Sequence, residues 1–165
     1  MIKSIEEESV VRLERVSTNV LNEWWKRELK RKSMTWKARH RSLATDRGFI
    51  QLCLTDEWGT NHMEWIPISV EKLYNDKNYV LELHVEGNKP LADEWRQELK
   101  KDMILLPNGK VKNSSSRVFH YEFSSPKPLA RMTDAELEKF LKKLYTQELN
   151  YIFRMLIEKV KDYRN

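Results

Sequence analysis

The most regular pattern in the chain is the alternation of apolar and mostly polar residues from Tyr79 to Glu86. Four apolar residues at every second position, beginning with Tyr79, would lie on one face. The other face would carry Val80, Glu82, His84 and Glu86. A period of two is typical of a strand with one face on a hydrophobic core. The segment is therefore predicted to be the organising strand of a sheet.

Three further segments are predicted to complete this sheet. Residues 49–54 form a mostly apolar run, residues 62–70 include Pro67, and residues 118–123 alternate aromatic with polar positions. Because proline lacks the N–H that a strand ladder needs, the strand with Pro67 is expected at an edge or at a bulge. The pair Asn108-Gly109 is typical of a tight hairpin turn.

Helical spacing, with apolar residues three and four apart, marks both ends of the chain. The first segment extends from Ser4 to about Arg31, as one helix or as two in line. The last opens at Thr133 with a capping-box pattern and extends to about Tyr163. A shorter helix is predicted after Asn88. The predicted fold class is α+β: an antiparallel sheet of four to five strands, packed by long N-terminal and C-terminal helices and one middle helix.

Composition limits the class of protein. A chain of 165 residues with 40% hydrophobic content suits a single domain over residues 1–165, with a helical segment at 4–31 and an α+β body at 47–165. The one cysteine, Cys53, excludes an intrachain disulfide and a multi-cysteine zinc site. Since no apolar run approaches the roughly 18 residues of a membrane span, we expect no membrane association and a cytoplasmic location.

The most basic part of the chain lies between residues 26 and 41, within a chain of net charge +5. Basic residues beside an exposed aromatic ring can bind phosphates while the ring stacks on a base. The alternative is a solvated helix end followed by a charged loop. The predicted nucleic-acid contacts are Lys30, Arg31, Lys32, Trp36, Lys37, Arg39 and Arg41.

A His-x-Glu pattern recurs in three predicted strands, and its two side chains point to the same face of a strand. If the strands that hold His84 and His120 are neighbours, their imidazoles and carboxylates converge. Such a group can bind zinc, manganese or magnesium, or act as general acid and base. The alternative is a solvated sheet face with cross-strand charge pairs. This hypothesis assigns catalysis to Glu82, His84, Glu86, His120 and Glu122, and metal binding to the last four of these, with His62 and Glu64 as a looser third contributor.

One family resemblance can be read from the order of motifs. The order RGFIQLCLTDEW, YVLELHVEG, a short helix, VFHYEF and a closing helix resembles the C-terminal accessory region of some bacterial PD-(D/E)XK-type nucleases and defence proteins. It covers roughly Arg47 to Asn165 and implies a DNA-directed role beside a nuclease core. The nuclease motif itself is absent, because Asp76 precedes Glu82-Leu83-His84 and a histidine stands where the motif has lysine. The resemblance therefore transfers no catalytic residue.

These observations favour a non-catalytic binding or accessory module of a nucleic-acid or phage-defence system, with DNA or RNA as partner and no cofactor. Two alternatives stay open. One is a small metal-dependent hydrolase or nuclease that uses the His-x-Glu strands and a divalent ion. The other is a protein-interaction or homodimerisation module that uses the long helices.

Overall fold

Six strands form one antiparallel sheet in the computed structural model, which describes residues 5–41, 48–54, 61–68, 70–101, 108–113 and 116–164. The order across the sheet is β1-β2-β3-β4-β6-β5. The strands are β1 Trp36–Arg41, β2 Gly48–Leu54, β3 Asn61–Ile68, β4 Asn78–Val85, β5 Gly109–Val111 and β6 Arg117–Ser124. The predicted organising strand, β4, therefore lies inside the sheet between β3 and β6.

Helices cover the apolar face of this sheet. They are α1 Ile5–Trp24, α2 Lys26–Arg31, α3 Val70–Asn75, α4 Lys89–Lys101, α5 Asp134–Lys143 and α6 Asn150–Arg164. A turn of π-helix, Leu144–Glu148, joins α5 to α6. On the sheet, Trp36 meets Phe153 of α6 edge-to-face at 5.4 Å, and the indole of Trp65 donates to the Tyr145 hydroxyl at 3.2 Å. The α+β prediction is confirmed.

The free edge of β1 is covered by α1. The backbone N–H of Trp36 donates to Oδ1 of Asn22 at 2.8 Å, and that of Ala38 donates to Oγ1 of Thr18 at 3.1 Å. An unpaired strand edge exposes such donors to pairing with other chains. Side chains of α1 satisfy them here and anchor the helix to the sheet.

β1 itself departs from prediction, because the sequence predicts no strand before residue 49 and a sheet of four to five strands. Trp36 and Ala38 face the core, while Lys37 and Arg39 alternate with them on the opposite face. The alternation is present in the sequence, but the basic residues on one face make it look like a charge run. The described sheet has six strands for this reason.

The strand with Pro67 is bulged but is not at an edge. β3 pairs with β2 on one side and with β4 on the other. Between β2 and β3, Gly48 pairs with Ile68 and Ile50 pairs with Trp65, so two residues of β3 oppose one of β2. The missing N–H of Pro67 falls at this irregularity, as the bulge alternative predicts.

Helix ends agree with the predicted caps where the structure describes them. Oδ1 of Asn88 accepts from the N–H of Leu91 at 3.0 Å, and Thr133 and Glu136 form the full capping box. The N-terminal helix is two helices that meet at Trp25, as one of the two alternatives predicts, and the short helix α3 lies between β3 and β4. Ser4, the predicted start of the first helix, and residues 102–107 before the hairpin turn lie outside the described residues.

Candidate functional site

The strand register brings the three His-x-Glu pairs together on the sheet face opposite the helices. Across β3 and β4, His62 pairs with His84 and Glu64 pairs with Glu82. Across β4 and β6, Glu82 pairs with His120. The strands of His84 and His120 are neighbours, which is the condition that the metal hypothesis sets. We call this group the His/Glu cluster: His62, Glu64, Glu82, His84, Glu86, His120 and Glu122.

His62 is the most deeply buried member, with 2% of its side chain exposed. Its Nε2 lies 2.9 Å from Oε2 of Glu64, and the amide of Gln51 lies 3.3 Å from the same nitrogen. Its Nδ1 has no hydrogen-bond partner among the described residues. A neutral imidazole that donates from Nε2 to a carboxylate carries its lone pair on Nδ1, which is the form that binds metals.

His84 lies against His62 with the two rings stacked and is 8% exposed. Its Nε2 is 3.9 Å from carboxylate oxygens of both Glu64 and Glu82, and its Nδ1 is 3.5 Å from Glu86. Neither ring nitrogen makes a hydrogen bond within the part of the chain that the structure describes. A buried polar group of this kind needs an ordered water, an ion or another ligand as its partner.

A second group of contacts continues the cluster into β6. Nδ1 of His120 is 3.6 Å from Oε1 of Glu82, and its Nε2 is 3.0 Å from Glu122. Nε of Arg117 lies 3.6 Å from Oε2 of Glu82. Glu82 is 4% exposed and Glu122 is 60% exposed. The residues of the His/Glu cluster are therefore buried on β3 and β4, and the cluster becomes exposed to solvent at Glu122 on β6.

Electrostatics favour a charged Glu64 beside a neutral His84. Burial alone would raise the pKa of Glu64, but its hydrogen bond with His62 and the nearby charges of His84 and His62 lower it overall. Burial lowers the pKa of His84, and the charge of His62 adds to this, against the opposing carboxylates of Glu64, Glu82 and Glu86. At neutral pH the centre holds a carboxylate next to an imidazole that has lost its proton.

The metal-binding geometry centres on β3 and β4. Ligand atoms of His62, His84 and Glu86 lie within 4.8 Å of one another. Two ligands of a tetrahedral zinc ion lie about 3.4 Å apart, given bonds of roughly 2.1 Å. The ligand atoms would move together by up to about 1.4 Å around an ion, and Glu86, which follows β4 and is 47% exposed, is the residue with room to move. Two imidazoles and one carboxylate suit zinc and its neighbours.

This triplet differs from the predicted ligand set, which places His120 and Glu122 beside His84 and Glu86. Those two residues lie on β6, on the other side of β4, in a register that puts His120 opposite Glu82 and Arg117 opposite His84, and they contact each other. His62, which the sequence offers only as a looser contributor, takes their place, because β3 is hydrogen-bonded to β4 in a register that puts His62 opposite His84. The repeated His-x-Glu pattern is the signal in the sequence, and the register of β3 and β6 against β4 decides which histidine lies opposite His84.

The predicted basic surface is divided between two parts of the molecule. Lys30 and Arg31 are exposed at the end of α2, where Arg31 pairs with Glu28. Lys32 is mostly buried between Glu28 and Glu158 of α6. These three residues lie on the helical side of the sheet.

The other part belongs to β1. The register places Lys37 opposite Cys53 and Arg39 opposite Gln51, in the rows that continue to His62 and Glu64. Arg41 ends the strand, and its side chain lies outside the described atoms. Trp36 is 2% exposed and packs on Phe153, so the expectation of an exposed ring that stacks on bases is wrong for this residue. Trp36 and Ala38 form the apolar face of β1, and this face packs on the hydrophobic core.

Cys53 is adjacent to His62 across β2 and β3 but is not a reactive group. Its Sγ contacts the carbonyl oxygen of Lys37 at 3.5 Å. Burial raises the pKa of the thiol to about 12, in spite of the charges of Arg39 and Lys37. The thiol therefore keeps its proton at neutral pH, which makes it a poor nucleophile.

None of the described helices combines the length and apolar character needed to cross a lipid bilayer. Comparison with protein-family models, with curated proteins and with solved structures gives no significant match to this chain. The chemistry of the His/Glu cluster is therefore argued from its own residues.

Proposed function

We propose that the protein binds a divalent ion of the zinc class through His62, His84 and Glu86 and uses it in a hydrolytic reaction. The observation that carries the proposal is His84: its ring is buried, neither of its nitrogens is hydrogen-bonded within the described chain, and two further ligand atoms lie within 4.8 Å. A buried polar group without a partner costs roughly 1–3 kcal/mol, which a bound ion would offset.

Neighbouring residues support metal binding over an ordinary charged sheet face. Histidine ligands usually donate their second ring N–H to a carboxylate, which fixes the ring and its tautomer. Glu64 is placed for this role beside His62, at 2.9 Å. A solvated face would instead leave its polar groups open to water, whereas His62, Glu64, Glu82 and His84 are all buried.

The proposed site has three ligands among the described residues, and this number favours a catalytic site over a structural one. Structural zinc sites generally have four protein ligands, and catalytic sites have three with one position left for water or substrate. A bound ion of this kind would lower the pKa of water and polarise a substrate oxygen. Oε2 of Glu82 has no hydrogen-bond partner within the described chain and lies 3.9 Å from His84, so Glu82 is the carboxylate placed to accept a proton.

The other sequence hypotheses stay predictions. A nucleic-acid-binding accessory module would now use Lys30 and Arg31 on one side and Lys37 and Arg39 on the other, without Trp36. The same holds for the defence context, the resemblance to nuclease accessory regions, a protein partner or homodimer and the cytoplasmic location.

Hydrolysis can be tested on protein that is stripped with a chelator and reloaded. Zinc, manganese or magnesium is added, and release of nitrophenol is followed from bis(p-nitrophenyl) phosphate and from p-nitrophenyl acetate. We expect metal-dependent turnover that His84→Ala and Glu86→Gln reduce at least 100-fold, while Glu138→Gln, an exposed residue of α5, has no effect. Turnover that survives His84→Ala, or none with any of the three ions on either ester, would contradict the proposed reaction.

A further inference from the structure

We infer that the substrate of this centre is a single-stranded nucleic acid, held by cations on both sides of the His/Glu cluster. The inference rests on the proposed function and names its substrate class. It depends on where the strand order places four basic residues: Lys37 and Arg39 on one side, and Lys110 and Arg117 on the other.

The first pair lies on β1, two strands from the centre. Arg39 pairs with Gln51, which pairs with Glu64, and Lys37 pairs with Cys53, which pairs with His62. Strands in a sheet are about 4.8 Å apart, so these cations begin roughly 10 Å from the strand of His62.

The second pair lies on β6 and β5. Arg117 pairs with His84 across β4 and β6, is 52% exposed, and lies 3.6 Å from Glu82. Lys110 pairs with His120 and is exposed. Arginine binds phosphate through two parallel hydrogen bonds, so Arg117 is suited to a phosphate next to the proposed ion.

The distance between the two pairs of basic residues indicates which class of phosphate compound can contact both pairs at once. From β1 to β5 the face spans five strand spacings, or about 24 Å. One phosphate group cannot contact cations at both ends of such a distance, whereas a strand of several nucleotides can. Because Trp36 is buried, it gives no base-stacking platform on this face, and the contacts available there are to the backbone. Binding should therefore depend on phosphate charge and show little sequence preference.

Charge also links this surface to the ion. The four cations are matched formally by four carboxylates of the cluster, those of Glu64, Glu82, Glu86 and Glu122. A divalent ion at His62, His84 and Glu86 leaves these groups with a net charge of +2. Polyanion binding should then require the ion, and by reciprocity the polyanion should tighten ion binding.

The test is fluorescence anisotropy of a labelled 12-nucleotide oligo-dT, measured with zinc-loaded and chelator-treated protein. Two double variants remove the same charge: Lys37→Gln/Arg39→Gln on the sheet face, and the control Lys142→Gln/Lys143→Gln on exposed positions of α5. Arg117→Gln is tested alone, to cover the possibility that the β1 variant disturbs the edge strand. Zinc titration by calorimetry accompanies each variant.

With about four phosphates bound, wild-type affinity should fall roughly seven-fold for each doubling of salt. We expect at least ten-fold weaker oligonucleotide binding in Lys37→Gln/Arg39→Gln and in Arg117→Gln, and after zinc removal, with the α5 control unchanged. If zinc binds but the sheet-face variants bind the oligonucleotide as tightly as the α5 control, the substrate assignment is wrong and the metal centre stands. If calorimetry detects no zinc binding, the proposed function itself fails.

Discussion

The imidazole of His84 stacks on that of His62, with ring centroids 5.3 Å apart and planes 12° from parallel. Two protonated rings at this distance would repel each other in a site with little water. The pKa of His84 is accordingly lowered, by burial first and by the charge of His62 in addition. The His84 ring is therefore favoured in its neutral form, which offers a lone pair to an ion.

Glu64 should act on the ion through His62. We expect Glu64→Gln to weaken zinc binding by roughly 10- to 100-fold, because the substitution removes the carboxylate that orients His62 from 2.9 Å away. Isothermal titration calorimetry measures the change, with Glu138→Gln as the matched charge control. An unchanged affinity in Glu64→Gln would mean that His62 needs no such support.

Cys53 should have no part in metal binding, although it pairs with His62 across the sheet. Its pKa is raised to about 12 by burial, and losing a proton to bind zinc would be costly. We expect Cys53→Ala to keep the zinc affinity of the wild type within about two-fold, and the native thiol to react with a disulfide reagent only after unfolding. Loss of zinc binding in Cys53→Ala would assign the thiol as a ligand.

The fold was largely readable from residue patterns, and the misses have physical causes. The alternation at β4 and the capping box at Thr133 are local signals, and the structure forms both the strand and the cap, with residues 81–85 of the strand buried on both faces. The sequence does not predict β1, because Lys37, Arg39 and Arg41 indicate a solvated charge run, although Trp36 and Ala38 alternate with them. Pro67 was assigned to an edge or a bulge, and only the partner strands decide between these.

The candidate site was predictable only in part. The sequence identifies the His-x-Glu residues, and it predicts that they converge if the strands of His84 and His120 are neighbours. It could not supply the strand order, which depends on non-local pairing between β3, β4 and β6. The strand order and the register together put His62 opposite His84 and His120 opposite Glu82. Side-chain burial, which leaves His84 without hydrogen bonds, likewise arises from packing across the whole sheet.

Tyr145 should stabilise the contact between the helices and the sheet. Its buried hydroxyl lies 3.0 Å from Oγ of Ser17 on α1 and accepts from Nε1 of Trp65 on β3 at 3.2 Å. Tyr145→Phe leaves both partners without this oxygen, and we expect the free energy of unfolding to fall by about 1–3 kcal/mol. Urea unfolding measures the loss. Tyr151→Phe, at a partly exposed ring, should change it by less than about 0.5 kcal/mol, and an equal effect of the two substitutions would count against the buried network.

Glu136 should make stability depend on pH at the start of α5. The ion pair with Lys127 and the backbone hydrogen bond from Thr133 lower its pKa to about 2, from an ordinary value of 4.5. A carboxyl whose pKa is lower in the folded state stabilises that state above its unfolded pKa, and this contribution disappears as the pH falls toward 2. Glu136→Gln should therefore melt below the wild type at pH 7, with the two midpoints converging between about pH 5 and pH 2. Parallel midpoints across this range would rule out the linkage.

Zinc titration by calorimetry tests the central claim most directly. Metal-free wild-type protein should bind one zinc ion per chain, and His84→Ala and His62→Ala should each remove measurable binding while both variants keep the far-ultraviolet circular dichroism of the wild type. Glu138→Gln should bind as the wild type does. Absence of a binding isotherm for the wild type, or equal zinc affinity in wild type and His84→Ala, would contradict a metal centre on this sheet.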